Sequence, residues 1–154
     1  MNKEPEAADD GGVHVRKNLP DSSGRRRIRV VVADDCGLMR TSLCDLLRTL
    51  PSVEIVGVAA DGIQAAYVCA AARPDLVLVD FAMPRLNGLE AAHALRRQCP
   101  GSRVVIVSNL APLLAVSGPQ PDVDAIIEKI DLPRELPAVI DRLFPGTLPA
   151  PASS

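Results

Sequence analysis

The chain has no tryptophan, one tyrosine and two phenylalanines among 154 residues, so aromatic side chains make up only 2% of it. So few rings argue against a surface that stacks bases or sugars. They leave a core of Val, Leu, Ile and Ala within a hydrophobic fraction of 47%. A surplus of one charge is missing too. Seventeen Lys and Arg stand against 19 Asp and Glu, a net charge of -2, without the basic footprint of a nucleic-acid-binding domain. Partners are expected to be proteins or small ligands. The four cysteines, Cys36, Cys44, Cys69 and Cys99, form no C-x-x-C pair and have no histidine at metal-ligand spacing. Three read as filler on helix faces and Cys36 as a loop thiol. No apolar run is long enough to span a membrane, and the opening MNKEPEAADDGG lacks the apolar segment of a secretory signal. The expectation is a cytoplasmic protein with reduced thiols.

The length suits one domain with a single core. Residues 1–27 mix charges with Gly, Ser and Pro without any period, a composition that cannot offset its ordering entropy. They are expected to be a disordered tail, with Arg25 to Arg27 a solvated flank. Residues 145–154 read as a Pro-rich tail. The domain is expected over residues 28–144.

Within it two kinds of segment alternate. IRVVVAD at 28–34, VEIVGVA at 53–59, DLVLVD at 75–80, RVVIVS at 103–108 and VDAIIEK at 123–129 are short, β-branched and mostly apolar on both faces, as strands of a parallel sheet covered on both sides are. Between them the period is helical. Leu43, Leu46, Leu47 and Leu50 share a face stopped by Pro51. Asp61 is placed to cap an alanine-rich helix at 62–72. Asn87 and Glu90 have the spacing of a capping box before a helix at 88–98. Leu136, Val139, Ile140, Leu143 and Phe144 mark a last helix.

The fold class is therefore α/β: a doubly wound, five-stranded parallel sheet of flavodoxin-like type, strand order 2-1-3-4-5, with right-handed crossovers. Such sheets bind ligands beyond the carboxyl ends of their strands, where the strand order reverses. Asp34 and Asp35 end the first strand, Asp80 the third, Ser108 the fourth and Lys129 the fifth. Three carboxylates at one place repel one another unless a cation neutralises them, and Mg²⁺ suits such oxygen ligands. The set equips a carboxylate nucleophile for phosphoryl transfer: metal and amine spread the developing charge, and the hydroxyl fixes the phosphoryl group. Taken singly, each residue has an ordinary reading as turn, strand-end hydroxyl or surface charge. Taken together, all five at strand ends point to a site.

Over residues 28–144 the sequence resembles a response-regulator receiver domain, on ADDCGLMR at 33–40, LVDFAMPRLNGLE at 78–90, VVIVSN at 104–109 and AIIEK at 125–129. It is most similar to the NarL/FixJ-type branch. The resemblance implies a two-component phosphoprotein, not a dedicated enzyme, with Asp80 the phosphoacceptor. The donor would be a sensor histidine kinase or phosphotransfer protein. Mg²⁺ would be held by Asp34, Asp35, Asp80 and the backbone carbonyl of Ala82. Ser108 would turn toward the phosphoryl group and Lys129 would pair with it, while Gly88 allows close packing where the loop enters its helix.

The sequence departs from that family at three points. Ile126 stands where receivers carry a switching Tyr or Phe. Pro112, Pro119 and Pro121 leave room for only a short or irregular helix between Ser108 and Asp122. Pro137 falls inside the last helix, which is expected to kink there or start later. The prolines lie on the face that receivers use for dimerisation or output. A homodimer and signalling rewired toward an unknown downstream protein are therefore expectations. With about ten residues after the last helix, the chain reads as a stand-alone receiver without direct DNA binding or membrane contact. Three other readings compete with it. A phosphorylation-independent module of the same fold fits Ile126 and the prolines. A flavodoxin-like nucleotide or flavin binder lacks a Gly-rich phosphate loop. An Asp-nucleophile hydrolase lacks a visible second acid or lid.

Overall fold

The computed structural model describes residues 24–109 and 121–146. Strands β1 (Ile28–Ala33), β2 (Val53–Ala59), β3 (Leu76–Asp80), β4 (Arg103–Ser108) and β5 (Ala125–Glu128) form one parallel sheet of order β2-β1-β3-β4-β5. Helices α1 (Gly37–Arg48), α2 (Gly62–Ala72), α3 (Gly88–Gln98) and α4 (Leu132–Leu143) lie on its two faces. This is the doubly wound order expected from the alternation of segments. The expected segment with Pro112 and Pro119 falls mostly on residues 110–120, outside the described residues, as do residues 1–23 and 147–154.

Two apolar layers hold the sheet, and strand alternation sorts residues between them. Val30, Val32, Leu76, Leu78, Val105, Val107 and Ile127 meet Leu43 and Leu47 of α1 and Leu136 and Ile140 of α4. Val31, Ala33, Val77, Val79 and Val104 meet Ala65, Val68, Ala91, Ala92 and Leu95 of α2 and α3. Every residue of β3 is buried, as a central strand covered on both sides requires.

The helix starts follow their caps. The Asp61 side chain accepts a hydrogen bond from the Gln64 amide at 2.7 Å. Asn87 and Glu90 close a reciprocal capping box, each accepting the other's amide N–H at 2.9 Å. Several boundaries differ from expectation: β1 stops at Ala33, just before Asp34, β3 opens at Leu76, and β5 opens at Ala125. Strand β5 ends at Glu128, and Lys129 opens a 3-10 turn, Lys129–Asp131. Helix α4 does not start late, and it continues through Pro137. It runs from Leu132 to Leu143, because burial of Leu136 and Ile140 on the sheet outweighs the one helical hydrogen bond that proline cannot donate.

The arginine flank is more than solvated. Arg26 makes a two-pronged ion pair with Asp75, at 2.7 and 3.2 Å, and Arg25 donates to the Gly146 carbonyl at 2.7 Å.

Candidate functional site

The site lies at the carboxyl end of the sheet, between β1 and β3. Asp34 follows β1 and is fully buried, and its amide donates to the Ala59 carbonyl at 3.0 Å. Its Oδ1 accepts the Cys36 amide at 2.9 Å, and its carbonyl accepts Arg40 Nη1 at 2.6 Å. Both contacts come from the start of α1: the Cys36 amide orients the carboxylate, and Arg40 holds the backbone of Asp34. Neither Cys36 nor Arg40 stood out in the sequence as a member of the site. They follow Asp34 by two and six residues, spacings that carry no signal of their own.

Asp80 is the last residue of β3 and is 4% exposed. The chain leaves it under tight control. Phe81 donates its amide to the Val107 carbonyl at 3.0 Å, and Gly88 donates to the Phe81 carbonyl at 2.8 Å. A side chain at position 88 would put its Cβ 2.7 Å from Phe81 Cα, so glycine alone fits. Likewise, a Cβ on Gly62 would lie 2.6 Å from that of Leu86, which seats the start of α2 against the loop after Asp80. Arg85 takes a positive φ of 73° to turn that loop.

Lys129 reaches across the strand tips. Its Nζ lies 3.2 Å from Asp80 Oδ1 and 3.6 Å from Asp34 Oδ2. Ser108, buried at the end of β4, pairs in register with Glu128, next to Lys129. Asp35 is exposed, yet one oxygen from each of Asp34, Asp35 and Asp80 lies within 4.8 Å of the others. The five residues singled out in the sequence therefore gather around one end of the sheet. Ala82 enters with its amide, which donates to the Asp80 carboxylate.

The electrostatics ask for more positive charge than the site holds. Burial, and then Asp34, push the Asp80 carboxyl above the ordinary carboxylate range, although Lys129 and the Ala82 amide pull it down. Burial alone would lower the Lys129 ammonium, but Asp34 and Asp80 together hold it above the usual amine value. Among the described residues Asp34 Oδ2 is a buried oxygen that makes no hydrogen bond, with the Lys129 ammonium no nearer than 3.6 Å, a costly arrangement unless a further cation binds it. An oxygen-preferring divalent cation fits this donor set.

The model of the response regulator receiver domain family matches residues 30–141. Among curated proteins, a protein-glutamate methylesterase/protein-glutamine glutaminase of Geobacter sulfurreducens is 40% identical over 85 residues, 55% of this chain and 23% of that protein. Its counterpart from Thermotoga maritima is 40% identical over 85 residues, 55% of this chain and 24% of that protein. The chain thus spans about a quarter of the length of these relatives. Among solved structures, the response regulator domain of Thermotoga maritima CheB superposes with a TM-score of 0.66 at 28% identity, covering 82% of this chain and 100% of that one. The signal receiver domain of the response regulator NarL from Mycobacterium tuberculosis gives a TM-score of 0.65 at 30% identity, covering 76% and 96%.

Proposed function

Because the chain belongs to the response regulator receiver domain family, we propose that it accepts a phosphoryl group on Asp80 from a histidine kinase or phosphotransfer protein. The observation that carries this reading is the buried carboxylate of Asp80 with the Lys129 ammonium 3.2 Å away and two further carboxylates beside it. In the transfer, the phosphorus–nitrogen bond of a phosphohistidine breaks as a phosphorus–oxygen bond to Asp80 forms. Asp80 is held rigidly by the Ala82 amide and by the Gly88 contact, so little reorganisation is needed at the attacking oxygen. Lys129, drawn off toward a phosphoryl oxygen, and Ser108, donating to another, would stabilise the charge that develops. Mg²⁺ held by Asp34, Asp35, Asp80 and the Ala82 carbonyl would supply the remaining positive charge.

The similarity reaches both a NarL receiver and the methylesterases. The reading therefore rests on what such receivers share and assigns no branch. Signalling would run through protein contacts in the cytoplasm. Among the described residues no helix is long and apolar enough to cross a membrane.

The test is incubation with a small phosphodonor and Mg²⁺, followed by intact mass. Wild type is expected to gain one phosphate, and Asp80→Asn none. A wild type that binds Mg²⁺ but stays unmodified would overturn the proposal. One observation favours a second reading, a module that signals without phosphorylation. Ile126 pairs with Ile106 and, by alternation, lies on the sheet face opposite the buried Ile127. A branched aliphatic side chain there cannot make the long swing of an aromatic ring. Equal partner affinity before and after phosphorylation would support that module.

A further inference from the structure

Helix α2, GIQAAYVCAAA, contains no charged residue, although it lies on the surface. Its inner side packs on the sheet through Ala65, Val68, Cys69 and Ala72. Its outer side repeats at helical spacing. Ile63, Tyr67, Ala70 and Ala71 are all exposed, Ile63 to 54% and Tyr67 to 76%. Surface helices normally turn a charged face to water, and a contiguous apolar patch marks a contact surface.

We propose that this face pairs with the same helix of a second copy of the chain, antiparallel about a two-fold axis at Tyr67. The sequence is self-complementary about that residue. Asp61, the N-cap, and Arg73, the exposed left-handed C-cap, lie six residues to either side of it, each about 9 Å along the axis. Antiparallel pairing therefore sets the acidic end of one α2 against the basic end of the other, twice, and opposes the helix dipoles. Ile63 meets Ala71 of the second copy and Gln64 meets Ala70, larger side chains against small ones, while the two Tyr67 rings meet at the axis. No like charges oppose each other along the stripe. This match of one surface to itself is what a closed two-fold dimer requires, and it is why a second copy is the occupant chosen. Three turns of helix make a small patch beside the roughly 1,200 Å² of a stable interface. The dimer is accordingly reversible and forms at high concentration.

Tyr67 is the only tyrosine and there is no tryptophan, so intrinsic tyrosine emission reports on this one position. Across a dilution series from about 1 mM to about 1 µM, emission is expected to change in step with a doubling of mass in sedimentation. Tyr67→Glu places two like charges across the axis and is expected to weaken the dimer at least tenfold while leaving the circular dichroism unchanged. In a Cys36→Ser background, Tyr67→Cys is expected to form a disulfide-linked dimer under oxidised glutathione, whereas Gln98→Cys, exposed on α3, is not. A wild type that stays monomeric throughout, or a dimer that Tyr67→Glu leaves unchanged, would overturn the proposal.

Discussion

Asp80 occupies a position that disfavours its own charge. Its carboxyl lies above the ordinary range because it is buried beside Asp34. Its contribution to stability is therefore present below the usual carboxylate value and is lost as the pH rises through the raised one. With divalent ions chelated, Asp80→Asn is expected to melt at a higher temperature than wild type at neutral pH. The gain should vanish in acid below the usual carboxylate value, and thermal melts across that range would show it. If the two proteins melt alike at neutral pH, the buried charge is not a burden. Gly88→Ala tests the other constraint on the same residue. With a Cβ 2.7 Å from Phe81 Cα, the backbone must shift, at a cost of about 1–3 kcal/mol, measurable by urea unfolding. At this scale the sequence disclosed the site members because polar residues are conspicuous at the ends of apolar strands. It hid Arg40, whose contact with the Asp34 carbonyl six residues earlier follows no repeating pattern, and the seating of Gly62 on Leu86, which depends on how segments far apart in the chain approach each other.

Elements were more legible than their edges. Caps and periodicity located α2 and α3, as the Asp61 cap and the Asn87–Glu90 box bear out. Removing the box with Asn87→Ala is expected to cost about 1 kcal/mol, read from chemical denaturation, because α3 would keep its buried Ala91, Ala92 and Leu95. Strand β5 proved shorter than its apolar pattern. The Asp124 side chain accepts the Val104 amide at 2.8 Å and Arg96 at 2.9 Å, so the segment leading into β5 is held by side-chain contacts that no period reveals. In α4, Pro137 denies the Pro133 carbonyl its helical donor. Pro137→Ala is expected to stabilise the protein by roughly 1–3 kcal/mol, raising its denaturation midpoint. An unchanged midpoint would mean that another donor already satisfies that carbonyl.

For the molecule as a whole, order and handedness followed from five apolar strands separated by helices, because few topologies satisfy both. What composition concealed is how the sheet's amino-terminal pole is fastened. Arg26 and Asp75 read as a charged flank and a strand-start acid, and only the folded chain sets them 2.7 Å apart. Asp75 also accepts the Arg29 amide at 2.9 Å. Arg26 is 59% exposed at its side chain, so Arg26→Ala is expected to cost no more than about 1 kcal/mol, with the loss shrinking in high salt. Paired melts at low and high ionic strength would check it.

The hydrogen bond from Arg25 to the Gly146 carbonyl makes the beginning and end of the described domain neighbours, at the pole away from Asp80. A short linker could therefore join them into a ring, and new ends could be opened elsewhere on the surface. Equally, the whole unit could be spliced into a loop of an unrelated host as a cassette, its acidic pole facing outward and both junctions hidden behind it.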